Sequence, residues 1–94
     1  MANINKHYFY VLRCADNTYY AGYTTDVIRR EQEHNSKSKG AKYTRFRQPV
    51  KMIYYEAFET RAQATQAEAK FKKLTRQQKE VYLKRATTKE FPTA

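Results

Sequence analysis

The chain has 94 residues, enough for one domain with a small core. Nineteen Lys and Arg against nine Asp and Glu give a net charge of +10 and a pI near 9.8, the balance of a protein that binds polyanions. A single cysteine, Cys14, excludes an internal disulfide; no Cys/His cluster suggests structural zinc, and no apolar run approaches the length of a membrane span.

In chain order, the first six residues read as a loose leader without the apolar segment of a signal peptide. With a thiol expected to stay reduced, this points to the cytoplasm. Next come two runs dense in aromatic and β-branched residues, Tyr8-Phe9-Tyr10-Val11-Leu12-Arg13 and Tyr19-Tyr20-Ala21-Gly22-Tyr23-Thr24. Asp16 and Asn17 lie between them and tolerate the left-handed backbone of a tight turn, so the spacing predicts a β-hairpin. Alternation puts Tyr8, Tyr10 and Leu12 on one face of the first strand, and Tyr20, Gly22 and Thr24 on one face of the second. Tyr10 and Tyr20 share a face only if paired residue numbers have an even sum, and the sequence leaves that register open.

Asp26 or a preceding threonine caps a helix from Val27 to about Asn35. It is poorly amphipathic, with Glu31 where a buried leucine would be natural. Arg30 and His34, four apart, share one of its faces. The polar breaker Asn35-Ser36-Lys37-Ser38-Lys39-Gly40 follows, then Ala41-Lys42-Tyr43-Thr44-Arg45-Phe46-Arg47, a loop or short helix alternating bases with aromatics. Pro49 opens a third strand, Val50 to Phe58. Thr60-x-x-Gln63 and Thr75-x-x-Gln78 are capping boxes that start two helices, ending near Lys73 and Arg85. The reading is one domain over 1–85 with a disordered tail over 86–94.

One residue breaks the pattern of the penultimate helix. Its apolar stripe runs Ala64, Ala67, Phe71, and Glu68 falls roughly 40° from Ala64, on the core-facing side. A carboxylate there is costly unless paired, hydrogen-bonded or bound to a metal. The structural alternative is an ion pair with Lys72, its i+4 neighbour.

Together these residues resemble the GIY-YIG nuclease superfamily. Tyr8-Phe9-Tyr10 stands at the first motif, with Tyr8 replacing its glycine, and Tyr20-Ala21-Gly22 at the second. Arg30 and His34 match the arginine and the following histidine or tyrosine of the family's first helix. Glu68 matches the metal-binding glutamate. The resemblance is closest to the small stand-alone bacterial branch and there covers most of the chain, including Leu12-Arg13-Cys14-Ala15-Asp16, Thr24-Thr25-Asp26, Lys42-Tyr43-Thr44-Arg45 and Pro49-Val50. Two further departures are Glu31, for a usual leucine, and Tyr23, where some nuclease relatives carry a lysine.

The resemblance implies a small α+β domain, a three-stranded antiparallel sheet flanked by helices in the order β-β-α-connector-β-α-α. It implies phosphodiester hydrolysis with one divalent ion, Mg²⁺ or Mn²⁺, held by Glu68. Arg30 would stabilise phosphoryl oxygens. Tyr10 would be the base, its phenol lowered by Arg30 and the cation, with Tyr20 as positioning partner. His34 would either hydrogen-bond the phosphate or pass a proton. Gly22 is the structural glycine of the motif. Substrate grip is expected from Lys39, Lys42, Arg45, Arg47 and Lys72, with Tyr43 and Phe46 stacking on an unpaired base. The partner is nucleic acid, DNA in preference to RNA, bound by a monomer with no membrane association. The alternative is a nucleic-acid-binding module of the same fold with little or no catalytic activity; a third is a small basic RNA- or ribosome-associated protein.

Overall fold

A computed structural model describes residues 6–90, with side chains described for 6–85. The elements are β1 (His7–Arg13), β2 (Tyr19–Thr24), α1 (Val27–His34), α2 (Lys42–Arg45), β3 (Lys51–Phe58), α3 (Arg61–Lys72) and α4 (Arg76–Glu90). The strands form one antiparallel sheet in the order β2-β1-β3, flanked by helices, which is the α+β architecture expected from sequence. The connector is the short helix α2 rather than a loop. Helix α4 continues to Glu90, past the expected end near Arg85, into part of the expected tail. Residues 1–5 of the expected leader and 91–94 of that tail lie outside the described residues.

The hairpin turn closes as its residues dictate. Asn17 takes the left-handed conformation with φ 70°, and Asp16 Oδ1 accepts from the Thr18 hydroxyl at 2.6 Å. The turn sets the register Tyr10↔Gly22 and Leu12↔Tyr20, an even sum that puts Tyr10, Gly22 and Tyr20 on one face. On the other face, Phe9, Val11, Ala21 and Tyr54 form the main apolar core with Phe71 of α3 and Leu83 of α4. The Tyr10 face has a smaller core of Leu12, Cys14 and Val50, backed by Met52.

β3 can serve both cores because of a bulge. Val11 pairs with Tyr54 but Leu12 with Met52, leaving Ile53 as the extra residue. The slip sends Ile53 and Tyr54 to the main core and Met52 to the Tyr10 side.

Helix α1 is strongly two-sided, against the expectation of poor amphipathicity, but the one residue it buries is a polar one, His34. Asp26 caps the helix by accepting from the Arg29 amide at 3.0 Å. Glu31 replaces a leucine because its Oε2 accepts from the Met52 amide at 2.8 Å, satisfying a backbone donor beside the bulge. Asn35 then pairs with Val50 in both directions, accepting from its N–H at 2.8 Å and donating to its carbonyl at 3.0 Å. The end of α1 is thereby fastened to the entry of β3. Both capping boxes form: Thr60 with Gln63, and Thr75 with Gln78, each by reciprocal side-chain and backbone bonds.

Restoring the leucine suggested by the helical pattern should therefore harm the fold. Glu31→Leu leaves the Met52 amide without its acceptor and is expected to cost about 1–3 kcal/mol in denaturant unfolding. Unchanged stability would show that water replaces the carboxylate there.

Candidate active site

The site is built where the Tyr10 ring crosses β2 and meets α1. Tyr10 is 1% exposed and His34 is 0% exposed. Their contact is a hydrogen bond of 2.7 Å between Tyr10 Oη and His34 Nε2. Glycine is required on both sides of it. A Cβ on Gly22 would meet Tyr10 Oη, with the ring Cζ only 2.6 Å away. A Cβ on Gly40 would lie 2.6 Å from the Cα of His34, so the loop after α1 passes over the histidine only because Gly40 has no side chain.

Arg30 joins the cluster one helical turn before His34. Its Nε donates to Tyr10 Oη at 3.4 Å, and its Nη1 donates to Glu33 Oε1 at 2.9 Å and to the Lys39 carbonyl at 3.2 Å. Tyr20, half-buried, stands beside this group with its ring 5.2 Å from that of His34. The structure thus brings Tyr10, Tyr20, Gly22, Arg30 and His34 together. Thr44 belongs with them although sequence reasoning gave it no role. It is fully buried, with Oγ1 2.9 Å from His34 Nδ1. The Tyr43-Thr44 pair in the connector was a signal, but nothing local to it points at a residue ten positions earlier.

Electrostatics set the resting state of the cluster. Burial pushes the Tyr10 phenol up to about 12; Arg30 pulls it down through its hydrogen bond and charge, but does not outweigh the lost solvation, and Tyr20 and Glu68 add to the rise. Tyr10 therefore rests as a protonated phenol, and Arg30 alone does not lower it. Burial, aided by the Arg30 charge, moves His34 the other way, down to about 4, so its ring is neutral at physiological pH. With both nitrogens engaged and no exposure, His34 does not reach a phosphate. Of its two expected roles, only proton transfer suits this position.

Glu68 is half-buried on α3, and its Oε2 is 2.7 Å from Lys72 Nζ, the i+4 ion pair of the structural alternative. Its charge is also felt at Tyr10, which ties it electrostatically to the cluster.

The basic connector divides in two. Lys39, Lys42 and Arg45 are exposed. Arg47 is not free: its Nε donates to Asp16 Oδ2 at 3.0 Å, its Nη1 to the Tyr43 carbonyl at 2.9 Å, and its guanidinium lies 3.9 Å from the centre of the Tyr43 ring. Tyr43 also stacks on Tyr20 at 5.8 Å, so its ring is engaged rather than open for a base. Phe46, 80% exposed, is the open aromatic of this segment.

Comparison with known proteins bears on what such a cluster does. The GIY-YIG catalytic domain family matches residues 6–81. A UPF0213 protein of Enterococcus faecalis is 63% identical over 86 residues, covering 89% of this chain and 97% of that protein. A UPF0213 protein of Listeria monocytogenes is 61% identical over 83 residues, covering 88% and 92%. The solution NMR structure of the Enterococcus faecalis protein EF2693 covers all of this chain and 99% of its own at 55% identity, with a TM-score of 0.64. That of a UPF0213 protein from Bacillus halodurans is 38% identical over 95% of this chain and 99% of its own, with a TM-score of 0.56.

Two measurements check the geometry. Gly22→Ala should destabilise by about 1–3 kcal/mol and displace the Tyr10 ring from His34, seen as a changed His34 resonance. The second concerns pH. The His34 value in the folded state, about 4, lies below that of an unfolded imidazole, about 6.5. As pH falls, the unfolded chain takes up this proton first, so the contribution is intact above about 6.5 and is lost between about 6.5 and 4, by up to about 3 kcal/mol. His34→Gln should flatten the pH dependence of stability over that window. A His34 resonance in the native protein titrating near 6.5 would contradict the buried neutral ring.

Proposed function

The chain belongs to the GIY-YIG family, and on that premise we propose that it is a phosphodiester hydrolase of the endonuclease type, acting on DNA with one divalent cation. The observation that carries this reading is the joining of Tyr10, His34 and Arg30 in one hydrogen-bonded group, with Tyr20 at its edge and the charge of Glu68 acting on it.

The donor chemistry fits a particular kind of ion. Glu68 is a hard carboxylate, and among the described residues no group of three His, Cys, Asp or Glu forms a metal cage. One protein carboxylate suits Mg²⁺ or Mn²⁺, which keep most of their waters, better than zinc or calcium. Lys72, its side chain 53% exposed, is able to swing off Glu68 and leave it to the ion. When bound, the cation supplies Lewis-acid stabilisation of the phosphate and the leaving oxygen.

The protein's own groups do the rest. Arg30 holds a permanent forked charge next to the Tyr10 oxygen, where negative charge on phosphoryl oxygens is stabilised. Tyr20, the more accessible phenol, orients the attacking water. Tyr10 would act as its base with its own proton passing to His34, 2.7 Å away, a transfer that the resting values of about 12 and about 4 oppose and that a cation held by Glu68 would favour by lowering the phenol. Lys39, Lys42, Arg45 and Lys72 hold the backbone, Phe46 takes an unpaired base, and the protein works as a cytoplasmic monomer.

A second reading has its own support. The Glu68–Lys72 pair and the high resting value of Tyr10 both suit a nucleic-acid-binding module that keeps the fold with little catalysis.

Cleavage of branched, nicked and single-stranded DNA with Mg²⁺ or Mn²⁺ separates the two. The wild-type protein should cut at least one substrate and Glu68→Gln none, with the variant's stability within about 0.5 kcal/mol of wild type. Cutting at wild-type rate by Glu68→Gln would remove the metal role; tight binding without any cutting by the wild type would favour the module. Binding itself should weaken steeply with salt, and Lys42→Ala or Arg45→Ala should each reduce the salt slope by about one.

A further inference from the structure

Thr44 closes the hydrogen-bond chain behind His34, and the count of protons along it fixes its direction. The Thr44 hydroxyl lies 2.9 Å from the carbonyl oxygen of Ala41 and 2.9 Å from His34 Nδ1. A hydroxyl has one proton to donate and lone pairs to accept with. The Ala41 carbonyl already accepts from the Thr44 and Arg45 amides, so Thr44 by itself does not set which way its proton points. Tyr10 does. It is 1% exposed, its oxygen accepts from Arg30 Nε–H, and among the described residues the acceptor that its own proton meets is His34 Nε2 at 2.7 Å. Nε2 is therefore bare, and a neutral imidazole carries its single N–H on Nδ1. Thr44 Oγ1 accepts from Nδ1 at 2.9 Å and donates to the Ala41 carbonyl at 2.9 Å, and the Ala41 amide, 3.4 Å from Nδ1, is the weaker contact.

We propose that Thr44 is a positioning residue: it holds His34 in the Nδ1–H tautomer and so presents Nε2 as the base for the Tyr10 phenol. The chain runs from Arg30 Nε–H to Tyr10, from Tyr10 O–H to His34 Nε2, from His34 Nδ1–H to Thr44, and from Thr44 O–H to Ala41. Transfer then needs no outside proton donor or acceptor, and it runs uphill from the resting protein, in which the phenol holds its proton and the imidazole is neutral. The Tyr10 O–H bond breaks, an N–H bond forms at Nε2, and the electron pair stays on the phenolate oxygen, where Arg30 donates to it. The imidazolium keeps its Nδ1–H on Thr44 throughout. With the other tautomer, Nε2 would carry a proton, Tyr10 would have no acceptor there, and the phenol could not be discharged by this route.

Its consequence for rate rests on the hydrolase reading above, but the tautomer does not, so the first readout uses the ¹⁵N-labelled protein alone, without metal or nucleic acid. Two-bond ¹H–¹⁵N correlation spectra should show His34 with a protonated Nδ1 and a bare Nε2. Thr44→Val, which keeps the shape and removes the hydroxyl, should shift the ring toward Nε2–H. Thr44→Ser, which keeps the hydroxyl, should recover the wild-type pattern. On a DNA substrate that the wild type cuts, Thr44→Val should lower kcat at least about tenfold with KM little changed. A native His34 that carries its proton on Nε2 overturns the proposal from the wild-type spectrum alone, whether or not the valine variant folds. An unchanged tautomer in folded Thr44→Val overturns it as well. If no substrate is cut, the hydrolase reading fails, while the spectra still decide the role of Thr44.

Discussion

The bond between Tyr10 and His34 is the constraint on which the rest of the polar face depends. It joins the Glu31 and Asn35 bonds to β3 in docking α1 on the sheet, and it is made by the only buried residue of that helix, His34. Ordinary surface helices dock through an apolar stripe. Here buried polar bonds take that place, and burial makes the 2.7 Å Tyr10–His34 bond both stronger and less forgiving of an absent partner. Gly22 beneath the phenol and Gly40 above the imidazole are the two glycines of the chain, and both serve this one contact. Fold and site are therefore not separable on this side of the sheet.

The opposite face relieves that side of the work of stability. Phe9 is surrounded by Tyr54, Phe71 and Tyr82 at centroid distances of 5.9, 5.5 and 6.5 Å, an aromatic core drawn from β1, β3, α3 and α4. In so small a domain such large side chains supply most of the available apolar burial. The bulge at Ile53 lets β3 contribute to that core while still placing Met52 under the site. A polar cluster that is costly to bury is tolerated because the sheet's other side carries the main apolar core.

Much of this was legible in the sequence where the determinants are local. The hairpin turn follows from Asp16 and Asn17, the helix starts from Asp26, Thr60 and Thr75, and the shared face of Arg30 and His34 from their spacing. Glu68 stood out because a carboxylate interrupts an apolar stripe. What remained hidden depends on partners distant in the chain. The leucine-to-glutamate departure at 31 makes sense only once the Met52 amide is beside it. Tyr43 and Arg47 read as free ligands for nucleic acid, yet stacking on Tyr20 and the bond to Asp16 engage them within the protein. The direction of the Tyr10 shift likewise depends on depth of burial, which a motif does not record.

The hairpin turn has a further consequence for how the chain assembles. Its strands are neighbours in sequence and able to pair early. Its tip, however, is gripped from elsewhere: Asp16 by Arg47, and the Asn17 carbonyl by Arg76 Nη1 at 2.7 Å, a partner 59 positions away. Arg76 also lies 4.1 Å over the Tyr19 ring at the start of β2. The first element able to pair thus also carries contacts that wait on later parts of the chain, and a chain ending before Arg76 would hold the tyrosine motifs on a hairpin closed by its own turn residues but without that grip on its tip.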